Sequence, residues 1–192
     1  MKNRRLWILL GSLGLIGAVF LLLDFRLSAS STLTERFIVT IKLPAPQPRD
    51  EKIRMVVTGD GSLRRALQEA LSEKMGEVGL SGLEVAREID PGYQGPVLVV
   101  KVGRPAPLWT PIFAMSRTPV QAGYASDGDT AFMDIIAQTR TSTAKENAAN
   151  LYAEFNLNDR SLGLISRPGY DRYLAEALAG EIVTALQEMY NG

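Results

Sequence analysis

Residues 53–79 read IRMVVTGDGSLRRALQEALSEKMGEVG, a strand, a turn and a helix in one stretch. Ile53 to Thr58 is β-branched and compact, so it is expected to be extended. Gly59-Asp60-Gly61 interrupts it, and Ser62 stands where a helix N-cap would. Leu63, Leu67, Ala70, Leu71, Met75 and Val78 then recur at helical spacing, with Arg64, Arg65, Glu69 and Glu73 largely off that stripe. Gly76 and Gly79 mark the end. The helix is amphipathic and needs a sheet beneath it.

Downstream, Leu83 to Ile89 reads as a short strand, Pro91-Gly92 as a turn, and Val97 to Val102 as a strand buried on both faces for most of its length. Pro111 to Tyr124 suits one long bent strand or two broken at Pro119. Asp127-Gly128-Asp129 is the next turn. Phe132 to Thr139 fits either period and is read as strand. Thr141 to Asn150 is polar and read as loop, Leu151 to Leu157 as strand, and Asn158-Asp159-Arg160-Ser161 as a turn. Leu174, Leu178, Ile182, Leu186 and Met189 share one face of a closing helix that starts near Tyr170. Upstream, Phe37 to Ile41 reads as a strand, and Pro44, Pro46 and Pro48 as an extended connector. The expected fold is α+β: a mostly antiparallel sheet with two helices packed on one face, a two-layer sandwich preceded by one transmembrane helix.

That last element comes from Leu6 to Leu23, an uncharged run behind Lys2, Arg4 and Arg5. As a helix it would extend roughly 27 Å, near the thickness of the hydrocarbon layer. Asp24 and Phe25 follow at once, without the small residues of a signal-peptidase site, which favours an uncleaved anchor. The basic cluster keeps the N-terminus in the cytoplasm. The expected organisation is a cytoplasmic N-terminus over 1–5, a single-pass signal-anchor over 6–23, a tether over 24–36 and an extracytoplasmic domain over 37–192, localised to the cell membrane.

Lys plus Arg equals Asp plus Glu at 21 each. This balance gives no reason to expect nucleic acid as a partner. With neither Cys nor His, Ser-His-Asp and Cys-His catalysis are excluded, as are thiolate zinc sites and a Cys-attached lipid. No cofactor, metal ligand set or catalytic residue is assigned.

Partial motifs remain. Gly59-Asp60-Gly61-Ser62 lies between a strand and a helix with Arg64 and Arg65 nearby, yet it lacks the third glycine of a dinucleotide fingerprint and any P-loop Lys-Ser/Thr pair. Asp127 and Asp129 offer two carboxylates to calcium, but Ala131 and Met133 occupy positions where further oxygens would fall. Ser116 and Lys101 are the candidates for Ser-Lys chemistry, without a signal peptidase's serine motif. Glu84, Glu88, Asp134 and Glu154 are scattered acids. In Pro105 to Phe113, prolines exclude a central strand while Trp109, Ile112 and Phe113 gather apolar area, so these three are the candidate partner-binding residues. The alternative for Trp109 is a place in the core.

The strand order, the stretch Leu157 to Leu164 and the closing helix after Gly169-Tyr170 resemble small envelope proteins built as α/β sandwiches, such as auxiliary lipoproteins of outer-membrane assembly and transport. The likeness spans roughly Ile53 to Met189 in layout, and it transfers no functional residue. The expected function is a non-enzymatic, membrane-anchored envelope component that binds another protein or assembles with itself. A small-molecule or lipid-binding module and an anchored Ser-Lys or carboxylate hydrolase are the alternatives.

Overall fold

The computed structural model of the chain describes residues 7, 11–19, 25–41, 52–80, 82–90, 92–139 and 149–191. β2 (Ile53–Thr58) runs into α2 (Gly61–Glu77), which returns the chain to β3 (Leu83–Val85), parallel to β2. A helical crossover of this kind is what parallel neighbours require. β4 (Val97–Val102) pairs parallel to β2 on its other side. From there the ladder turns antiparallel, through β6 (Phe113–Ala125) to β7 (Ala149–Leu164) and then β1 (Phe25–Ile41). β5 (Leu108–Thr110) forms a hairpin with β6. The result is one seven-stranded sheet in the order β1-β7-β6-β4-β2-β3.

The sheet is therefore mixed, with the β2–β3 and β2–β4 pairs parallel beside four antiparallel pairs, and among the described residues four helical segments accompany it where two on the sheet and one across a membrane were expected. α2 and α4 (Arg167–Asn191) share one face. Leu67, Leu71 and Met75 meet Leu174, Leu178, Ile182 and Leu186 there, over Met55, Leu98, Tyr124 and Phe155 of the strands. α3 (Ala131–Thr139) covers part of the opposite face, packing Phe132, Met133 and Ile136 on Val97, Val99 and Tyr152.

α3 is the segment read as strand. Phe132, Met133 and Ile136 are buried while Asp134 and Ile135 are exposed, a helical pattern that alternation cannot produce. Its start is set upstream: Asp129 N–H donates to Asp127 Oδ1 at 3.0 Å, and Ala131 N–H donates to Asp129 Oδ1 at 2.9 Å. The two carboxylates thus serve as turn and cap, in line with the turn expected at Asp127-Gly128-Asp129.

α1, residues 11–19, is the remaining helical segment. Among the described residues no helix is long and apolar enough to cross a membrane. This overturns the single-pass signal-anchor, and with it the cell-membrane, extracytoplasmic localisation. Lys2, Arg4 and Arg5, the rest of the apolar run (6, 8–10 and 20–23), the connector prolines 44, 46 and 48, Pro91 and the loop 141–148 lie outside the described residues.

The tether is a strand. β1 begins at Phe25 and pairs with β7 from Phe25↔Leu164 to Ile41↔Ala149, with an irregularity between Arg26 and Ser28. β7 in turn passes straight through Asn158 to Ser161, which composition marks as a turn. Asp159 and Ser161 point into the helix-covered layer and satisfy each other there, Ser161 Oγ donating to Asp159 Oδ2 at 3.0 Å. Pro119 sits within β6, just past its last partner in β4, and its carbonyl accepts the Gly103 N–H at 2.9 Å. The missing N–H therefore faces the side where β4 has ended, and no ladder bond is lost.

Candidate functional site

β1 is the terminal strand of the sheet, and among the described residues nothing pairs with its outer edge. Natural sheets blunt such edges with charge, proline, bulges or brevity. Here the strand is 17 residues long. From Leu27 to Thr34 the sequence LSASSTLT contains no charge and no proline, and apart from the half-buried Leu33 these residues are exposed. The register irregularity and the charges Arg26 and Glu35 lie at the two ends of this run.

The edge is held firmly from behind. Ser31 Oγ donates to Asp159 Oδ1 at 2.6 Å and lies 2.7 Å from the Tyr173 hydroxyl on α4. The Arg26 guanidinium stacks 3.7 Å from the Tyr173 ring centroid and donates to the Gly169 carbonyl at 3.2 Å. At the other end Glu35 stands against Glu181 and Glu188 of α4. Lost hydration, a hydrogen bond shared with Glu181 and the charges of Glu181 and Glu188 raise its carboxyl above the ordinary carboxylate range. Glu35 is exposed, so solvent screens much of that effect.

The sequence candidates fall into two groups. Trp109 is half-buried, packs on the main core and donates from Nε1 to the Ile165 carbonyl at 3.2 Å, so it anchors the β5–β6 hairpin. Ile112 is 62% exposed at the hairpin turn, with Leu108 at 54% and, on β7 beside it, Leu162 at 47%. Phe113 is half-buried and registers against Leu162. Of the three, only Ile112 presents a mostly free apolar surface. Trp109→Ala is expected to cost about 2 kcal/mol in a denaturant melt, and Ile112→Ser to stay within about 0.5 kcal/mol of the parent. Equal effects would contradict this division.

Ser116 and Lys101 cannot form a dyad. Ser116 shares the α2/α4 side of β6 with Ala114 and Val120, and its Oγ lies 2.8 Å from Thr118 Oγ1. Lys101 shares the α3 side of β4 with Val97 and Val99 and pairs with Asp134 at 2.9 Å. The sheet separates them. Ser62 is no cap: Asp60 holds that position without a side-chain bond, and Ser62 Oγ donates to Asp171 of α4, tying two helix starts together. Of the four scattered acids, Glu84 lies 3.7 Å from Arg54 and Glu154 accepts from Tyr152 at 2.8 Å, while Glu88 and Asp134 line one cleft. A cleft of about 610 Å³ opens on the α3 side between the 87–93 loop and the 127–131 turn. Its walls mix the charged Arg87, Glu88, Asp90, Lys101 and Asp134 with the apolar Val56, Ile89, Val99 and Met133.

The strand edge is hidden in the sequence because the small, polar residues of 24–36 resemble a spacer. The signal available was the alternation of Leu27, Ala29, Ser31 and Leu33 with Ser and Thr, a weak but period-two pattern. No family model and no curated protein matches the chain. Two solved structures of the PelC dodecamer from Paraburkholderia phytofirmans are similar, each 14% identical and covering 81% of this chain and 98% of that one. Their TM-scores of 0.47 and 0.45 are too low to carry an argument about role or assembly.

Proposed function

We propose that the chain is a non-enzymatic protein-binding component that accepts a further β-strand along the outer edge of β1. The supporting observation is the run Ser28 to Thr34, exposed but for the half-buried Leu33 on the terminal strand and free of charge, proline and register irregularity. Main-chain hydrogen bonds supply affinity in this mode, so no catalytic or ligand-specific motif is needed.

A photo-crosslinking residue placed at Thr32 or Thr34, whose partners Asn158 and Asn156 lie on the sheet face away from α4, is expected to give discrete protein adducts in cells. The same residue at Glu73, on the exposed side of α2, is expected to give none. Thr32→Lys combined with the Thr34 probe should remove most of the adduct, since a lysine on the edge opposes strand addition. Adducts from Glu73 equal to those from the edge would sink the proposal.

A further inference from the structure

We infer that the strand received by β1 is β1 of a second copy of this chain, running antiparallel about a twofold axis close to Ser30 and Ser31. This rests on the reading of the edge as a strand acceptor and adds the identity and direction of its partner.

The argument is the order of charges along the edge. Arg26 stands at one end, held over Tyr173. Glu35, Glu181 and Glu188 gather at the other, three carboxylates where β1 adds one cation, Arg36. Between the ends the run from Leu27 to Thr34 is uncharged. An antiparallel pair reverses the order, so each copy's Arg26 is delivered to the other's acidic end. A parallel pair of the same edges would set Arg against Arg and the carboxylates against their like, which is disfavoured across strands. Twofold, isologous contacts are the commonest form of self-association, and a self-complementary edge is what they require. Eight residues at about 3.4 Å each give a shared ladder of roughly 27 Å.

Acid density at one end also gives a signature that a purely structural role would not. Glu188 is exposed on α4, and its charge works against Glu35 within one copy. Glu188→Arg should therefore leave the melting temperature of the monomer unchanged or slightly raised. The same substitution should weaken the dimer about tenfold, because it turns the attraction for the other copy's Arg26 into repulsion.

The test uses the purified chain. Light scattering at micromolar concentration is expected to show a dimer for the parent and a shift to monomer for Glu188→Arg. Because the chain has no cysteine, Ser30→Cys near the axis should oxidise to a covalent dimer faster than Thr34→Cys away from it. A monomeric parent, a Glu188→Arg dimer as tight as the parent, or faster bridging at Thr34 would each overturn the inference. If edge adducts in cells contain a different protein while the pure chain stays monomeric, strand acceptance stands and self-pairing falls. If the edge gives no adducts and the chain is monomeric, both fall.

Discussion

Gly128→Ala is expected to lower the melting temperature by about 10 °C or more, the largest effect of any single-methyl change argued for this chain. Gly128 has φ of 77°, where an L side chain already costs roughly 1–2 kcal/mol. A Cβ there would also lie 2.2 Å from the Tyr93 carbonyl oxygen and 3.1 Å from that of Gly95, both backbone atoms that no rotamer change can move. The strand-to-α3 turn and the loop before β4 would have to separate. That loop is itself held: Tyr93 stacks with Arg54 at 4.1 Å, and its hydroxyl donates to the Lys52 carbonyl at 3.2 Å. A total near 4 kcal/mol is expected, which in a domain of this size converts to about the shift stated. Gly92 is the matched control. Its φ is 88°, but nothing lies within 4 Å of a Cβ placed there. Gly92→Ala should cost only about 1 kcal/mol. Thermal melts of the two variants side by side decide the matter, and similar losses for both would show that backbone conformation, not the close approach of the two loops, sets the cost.

The same turn illustrates how much of the fold was legible in the sequence. β2 and β4 are legible to the residue, and α2 and the closing helix to within two or three at their starts, because each carries a full period of buried side chains within its own length. α3 was not, since nine residues hold too few repeats for one period to exclude the other, and the deciding signal was the capping chemistry of Asp127 and Asp129. β7 was cut short at Asn158 for a different reason. Turn-forming residues there are buried and satisfied by partners distant in sequence, which local propensity does not register. β1 divides in two: Phe37 to Ile41 is legible as a strand from its β-branched, apolar residues, whereas most of 25–36 is small and polar and owes its place to β7 rather than to its own pattern. The candidate site inherits that history: an edge strand with a weak pattern is hard to read in advance and, once placed, is open to pairing for the same lack of features.

Asp159→Ala is expected to cost about 3 kcal/mol and to loosen β1 before anything else. Asp159 is 2% exposed and lies opposite Ser31 in the β1–β7 register. It accepts from Ser31 at 2.6 Å and Ser161 at 3.0 Å. The buried Tyr170 phenol is held protonated first by burial and then by the neighbouring carboxylate. Truncation takes the acceptor from the buried Ser161 hydroxyl and from that of Ser31 and empties a buried site, and each stranded buried donor costs on the order of 1 kcal/mol or more. Asp159→Asn keeps one acceptor oxygen and should lose about half as much, while Ser161→Ala removes a single bond and should lose about 1 kcal/mol. Hydrogen exchange locates the damage: amides over residues 26–33 should gain exchange ahead of those in β2, β4 and β6, because Ser31 is the side chain that joins this part of β1 to both β7 and α4. Uniform acceleration across the sheet would mean that Asp159 supports the whole core and not the edge. The functional consequence follows from the same geometry. A strand edge recruits a partner well only if it is already straight and fixed, since ordering it at the moment of contact subtracts from affinity. A variant that frays β1 should therefore lose edge adducts in proportion to its exchange, even though Asp159 itself touches no partner.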